Sequence, residues 1–179
     1  RSIKAWLAEE VWSGMHFERI ASRVQQDVDA VRAKEHPDVV IVGVHSGTGE
    51  GDGNNAESEG MDVFKMVQGV DFVLCSHDHR PLVLVEEEKA LMNSGSHSRY
   101  LAHGKLHLKV EGGKVVSKAL EADLIPVRVE ETDPVMREAF RQEYETVKAF
   151  TLREVGQLNV ALRTRDAYKG MSDYVNLID

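Results

Sequence analysis

The sequence predicts an α/β fold, and three observations carry that prediction. Apolar residues recur at helical spacing over residues 17–31, an unbroken β-branched run follows at 39–44, and a second apolar run at 70–75 comes after a short helical segment. Helix then strand, twice over, is the alternation that builds a largely parallel sheet.

The first helix is read from Phe17, Ile20, Ala21, Val24, Val28 and Val31, with Arg, Gln, Asp and Glu filling the other face. His36-Pro37 ends it, because the residue before proline is pushed out of the helical region. Val39-Val40-Ile41-Val42-Gly43-Val44 has no polar alternation, as expected of a strand covered on both faces. Residues Ser46–Gly60 hold five glycines among Asp, Glu, Asn and Ser, which reads as a loop too polar to pack and as a mobile rim. No Gly-Lys-Ser/Thr follows these glycines, so the loop is not a phosphate-cradling P-loop. Met61 to Gln68 reads as a short helix ended by Gly69, and Val70 to Cys75 as a second buried strand.

Beyond Cys75 the period changes. Leu82–Val85, Ala90–Met92, Leu101–Val110 and Val115–Leu120 are short runs divided by turn signals such as Glu111-Gly112-Gly113-Lys114, and they predict antiparallel strands. Thr132-Asp133-Pro134 combines a capping side chain with a first-turn proline. Met136, Ala139, Phe140, Val147 and Phe150 then give one long linker-like helix an apolar face. No internal repeat or low-complexity tract interrupts the chain.

Composition narrows the function. The 179 residues are 42% hydrophobic and 29% charged, with a net charge of −8 at neutral pH, which excludes collagen-like and wholly disordered classes. So acidic a chain lacks the clustered cations of a phosphate-backbone binder, and no nucleic-acid polymer is expected as partner. A small phosphate remains open where a metal supplies the positive charge. No apolar run approaches the roughly 18 residues needed to span a bilayer. The single cysteine, Cys75, sits at a buried strand end and reads as a structural thiol.

The chemistry-bearing residues are histidines at strand ends. His45 follows the first apolar run and Ser76-His77-Asp78-His79 follows the second, and in an open α/β sheet both loops gather beyond the carboxyl ends of the strands. Neutral imidazoles suit Zn, Mn, Fe or Ni, and a His-x-His pair sends two rings to one edge in different directions, so each can reach a different ion. A lone strand-end histidine is more often a packing or surface residue, and the weight rests on three of them together. Asp78 reads as solvent-exposed or as a partner of the ligands. His16, His36, His103 and His107 read as surface or packing residues.

Val44-His45-Ser46-Gly47 resembles the isolated-histidine motif of the calcineurin-like metallophosphoesterases, and Cys75-Ser76-His77-Asp78-His79 resembles their G-H-x-H motif with Ser76 in place of Gly. Trp12 to Phe17, Gly69 to Leu74, Asn93-Ser94-Gly95 and Tyr100 to Gly104 are similar to the corresponding stretches of the 5'-nucleotidase and 2',3'-cyclic-nucleotide phosphodiesterase branch. The resemblance implies part of a four-layer α-β-β-α sandwich followed by an interdomain helix. It implies residues 1–125 as the C-terminal half of the catalytic domain, 126–155 as the linker helix and 156–179 as the start of a second domain, where Gly170 to Asp173 and Val175 to Ile178 resemble that domain's opening.

The same resemblance implies two divalent ions, Zn, Mn or similar, with His45 and His77 on one and His79 on the other. It implies phosphoester hydrolysis of a nucleotide and places Asn93, His97 and Arg99 near the substrate. The family's D-x-H, G-D and G-N-H motifs precede the isolated histidine, and none of them stands ahead of His45 here. The chain is therefore expected to be a fragment that catalyses poorly without a missing N-terminal half. A periplasmic or extracellular location is implied as well. The competing expectation is a non-catalytic module that uses the same histidines to bind a metal or a partner.

Overall fold

The computed structural model describes residues 3–55, 57–128, 130, 132–170 and 172–178. Met171, within the Gly170 to Asp173 stretch, lies outside the described residues. The chain divides into two compact units, residues 1–131 and 132–179.

In the first unit, helical spacing and apolar runs become elements where expected. Two single-turn helices, α1 (Ile3–Trp6) and α2 (Glu9–Trp12), precede α3 (Ile20–Glu35). Helix α3 ends where His36 turns left-handed at φ 49° and donates its N–H to the Arg32 carbonyl, the stop signalled by His36-Pro37. Strands β1 (Ile41–Gly43) and β2 (Phe72–Leu74) flank α4 (Gly60–Met66); β3 (Pro81–Glu86), β4 (Lys89–Ser94), β5 (Tyr100–Glu111) and β6 (Lys114–Pro126) follow.

The main sheet has the order β1-β2-β4-β3, and β5 with β6 forms a separate antiparallel ribbon. One face of the main sheet packs on α3 and α4 through Ala21, Val28, Val63, Phe64, Val67, Val73 and Leu91. On the other face Phe72, Ala90 and Met92 meet Ala102, Leu106, Leu120 and Ala122 of the ribbon. Helices, sheet and ribbon thus give α, β and β layers in succession.

Two expectations about this unit are corrected. The run 39–44 is not covered on both faces: β1 is an edge strand, Ile41 is 58% exposed, and the ribbon packs over β2 and β4 instead. The antiparallel pairing expected beyond Cys75 holds for β3 with β4 and for β5 with β6; β4 is also parallel to β2, because the chain reverses once between β2 and β3 and again at the tight β3–β4 turn. The 46–60 segment is not too polar to pack. Ser46 Oγ donates to the Glu57 carbonyl (3.2 Å) and accepts from the Glu59 N–H (2.7 Å), while Gly60 N–H reaches the Gly47 carbonyl (2.9 Å). Ser46, Thr48 and Glu59 are buried, with Thr48 N–H donating to Asp78 Oδ2 and Glu59 Oε2 accepting from Ile20 N–H.

That inward fold depends on Gly49, whose φ is +69° and whose missing Cβ leaves room for the Ser58 carbonyl. Gly49→Ala is expected to cost about 1–3 kcal/mol, from left-handed strain plus the clash. Gly113→Ala, with φ +77° but open space around it, should cost less. Urea unfolding of both variants reads the difference, and equal losses would show that the Ser58 contact contributes nothing.

The second unit is helical. Asp133 caps α5 (Pro134–Ala139) by accepting from Val135 N–H at 2.8 Å and Met136 N–H at 3.4 Å. The single linker helix is in fact two, since Phe140 leaves helical geometry before α6 (Arg141–Thr151). Phe140 N–H still bonds Met136 O (3.2 Å) and its carbonyl takes Tyr144 N–H (3.0 Å), so the break orphans neither group. A 3-10 helix (Thr164–Lys169) and α7 (Asp173–Ile178) complete the unit.

Candidate metal centre

Because β1 and β2 run parallel in register, Val42 beside Val73, their following loops leave from the same edge. The ladder continues past the strand ends: Val44 N–H bonds Leu74 O at 2.9 Å, and Ser76 N–H bonds Ser46 O at 3.1 Å. His45 and His77 are thereby held side by side, ring centroids 5.2 Å apart and planes at 71°. Ser76 Oγ lies 3.3 Å from His45 Nδ1, leaving Nε2 for another partner.

His77 and His79 both take left-handed backbone, with φ of 82° and 57°. Such conformations cost about 1–3 kcal/mol each and persist only where surrounding groups hold them. Here the holding group is Asp78, whose Oδ2 accepts from Thr48 N–H (2.7 Å) and whose Oδ1 accepts from Asn93 Nδ2 (2.7 Å) and Arg80 N–H (3.3 Å). Burial works against ionisation of Asp78, but the Thr48 and Arg80 amides, the Thr48 hydroxyl and Asn93 outweigh it and hold the carboxyl below its ordinary range. Asp78 is exposed, as one reading of the sequence had it, and at the same time ties the two histidine-bearing loops together.

Asn93, expected beside the substrate, is 0% exposed and sits behind the histidine loop. Its amide nitrogen reaches Asp78 and, at 3.4 Å, Thr48 Oγ1, and its carbonyl accepts from Gly95 N–H at 3.0 Å. It is a brace, because its amide nitrogen and its side-chain carbonyl are both engaged by these neighbours. His97 and Arg99 are exposed, and the His97 ring stands 6.2 Å from that of His79. The four histidines thus form two pairs, His45 with His77 and His79 with His97.

Burial pushes the Cys75 thiol up, with Thr48 and Asn93 opposing, so a thiolate nucleophile is disfavoured. His107 is exposed, and His103 lies 2.8 Å from Asp123 on the ribbon.

One polar residue escaped the sequence reading. Glu57 Oε1 lies 2.9 Å from His77 Nε2, delivered there because Ser46 Oγ and Gly47 N–H both hold the Glu57 carbonyl. A carboxylate within a glycine-rich loop has no period to betray it. Among the described residues no three His, Cys, Asp or Glu side chains form a ready cage for an ion. The donor set nonetheless fits a divalent metal in kind: imidazoles from two adjacent loops, a carboxylate at one of them, and a buried brace behind.

The solved structures share this arrangement of elements. A calcineurin-like phosphoesterase, YfkN from Bacillus subtilis, superposes with a TM-score of 0.63 at 17% identity, over 85% of this chain and 50% of that one. The chain has the calcineurin-like phosphoesterase fold. A provisionally named 5'-nucleotidase from Staphylococcus aureus in complex with alpha-ketoglutarate gives 0.52 at 18% identity, over 73% of this chain and 27% of that one. The sulfate thiohydrolase SoxB of Thermus thermophilus in complex with glycerol gives 0.55 at 21%, over 83% and 25%. The chain therefore spans half or less of the length of each of these solved structures. No protein-family model and no curated protein matches the sequence.

Proposed function

We propose that the protein is a metal-dependent phosphoester hydrolase acting on nucleotides, of the 5'-nucleotidase or 2',3'-cyclic-nucleotide phosphodiesterase type. The observation that supports this best is the 5.2 Å approach of His45 and His77 at the carboxyl edge of a calcineurin-like sheet. His45 and His77 would hold one divalent ion and His79 a second. Bound there, Zn or Mn would polarise a phosphoryl oxygen and lower the pKa of a water.

The chain's own groups do the rest. Asp78, Asn93 and Thr48 keep the two histidine loops in one orientation, so little reorganisation is needed when substrate arrives. His97, whose ring stands 6.2 Å from that of His79, and Arg99, exposed two residues on, would meet the substrate phosphate; a guanidinium is suited to its oxygens. Residues 1–125 would belong to the catalytic domain, 126–155 to an interdomain linker and 156–179 to the start of a nucleoside-gripping domain. A periplasmic or extracellular location accompanies this reading. No helix among the described residues is long and apolar enough to cross a membrane.

Alone, the 179 residues should turn over a chromogenic phosphoester with Mn or Zn far more slowly than about 10 per second, a normal enzyme rate. Two ions at neutral pH need bridging carboxylate and amide ligands that three imidazoles do not replace. Supplying the N-terminal half of a related domain should raise that rate. Metal uptake with no turnover in the completed domain would instead support a non-catalytic metal- or partner-binding module.

A further inference from the structure

We propose that Glu57 is a ligand of the ion held by His45 and His77, the oxygen donor that the histidine motifs do not supply. The inference rests on the metal reading of those two histidines and adds to it. Glu57 Oε1 and His77 Nε2 are 2.9 Å apart. Two donors each about 2.1 Å from one ion, at right angles, lie about 3.0 Å from each other, so the pair already has the spacing of neighbouring ligands in an octahedral shell. On binding, the ion would take the place of this hydrogen bond, with His77 a neutral imidazole that ligates through Nε2 and carries its proton on Nδ1.

The backbone makes this placement a built one. The carbonyl of Glu57 is held by Ser46 Oγ at 3.2 Å and by Gly47 N–H at 3.3 Å, the two residues directly after His45. Its N–H is taken by Asn55 Oδ1 at 2.9 Å. The loop therefore carries the carboxylate to the edge where His45 and His77 stand 5.2 Å apart. Both side chains remain partly open to solvent, at 39% for Glu57 and 33% for His77, so an ion can reach them. A carboxylate among imidazoles also shifts preference toward harder ions such as Mn.

Mn binding to the purified chain, followed by the electron paramagnetic resonance of free Mn, tests the assignment without reference to turnover. Affinity is expected to fall in the order wild type, Glu57→Asp, Glu57→Gln, with a loss in Glu57→Gln beyond the roughly 10–100-fold of a residue that merely supports a ligand. The amide oxygen of the Gln variant still accepts from His77, so its metal-free unfolding midpoint should match that of wild type. Wild-type affinity in Glu57→Gln, with binding abolished in His77→Ala, would overturn the role of Glu57 and leave the histidine site standing. No Mn uptake by the wild type would instead remove the histidine reading on which the inference rests. Should Glu57→Gln fail to fold, an unchanged affinity in Glu57→Asp overturns the assignment and a reduced one supports it.

Discussion

Replacing Asp71 with Ala should destabilise the first unit by about 3–5 kcal/mol, a large share of the roughly 5–15 kcal/mol that holds a domain folded. Asp71 is only 4% exposed, and it carries two connections at once. Its Oδ2 accepts from Val40 N–H at 2.8 Å, just ahead of the edge strand, and its Oδ1 accepts from Lys118 Nζ at 2.6 Å, on the ribbon packed over the sheet. Truncation leaves an ammonium that is 19% exposed and a part-buried amide without their partner. An unpaired buried charge costs more than the pair is worth, so Asp71→Ala with Lys118→Met should recover part of the loss. Urea unfolding of the single and double variants measures both quantities. A loss under about 1 kcal/mol for Asp71→Ala would show that the pair behaves as an exposed one.

His77→Ala should remove most of the metal bound by this chain, and His79→Ala should not. His77 and His45 are proposed to share one ion, so losing either would leave that ion one imidazole, whereas His79 would serve the other. Losing a ligand should weaken binding by more than the 10–100-fold typical of residues that merely support one. Elemental analysis after equilibration with Zn or Mn and removal of free metal gives the content of each variant. Equal metal in the wild type and His77→Ala would show that these histidines are not the ligands.

Much of the site's placement was legible because it follows from chain order. Two apolar runs separated by a helix predict neighbouring parallel strands, and histidines directly after each run must then emerge at one edge. The covering of those strands was less legible. An apolar run such as 39–44 reads alike whether a layer covers it or it lies at an edge, since periodicity records the residues of the strand and not its neighbours. The direction of β4 was similarly hidden, because local alternation does not say which strand lies beside it.

By itself the sequence determined the α/β alternation, the stop of α3 at His36-Pro37, the β5–β6 turn at Gly112-Gly113 and the edge that bears His45, His77 and His79. These depend on residues close together along the chain, where φ preferences and apolar spacing act directly. Only the tertiary structure decided that Glu57 meets His77, that Asn93 lies buried behind Asp78 and that Lys118 reaches Asp71. Each of those pairs joins residues between 15 and 47 positions apart. Their attraction acts only once the sheet and the 46–60 loop have folded, because a polar side chain gains from a partner when burial removes the water that would otherwise serve it.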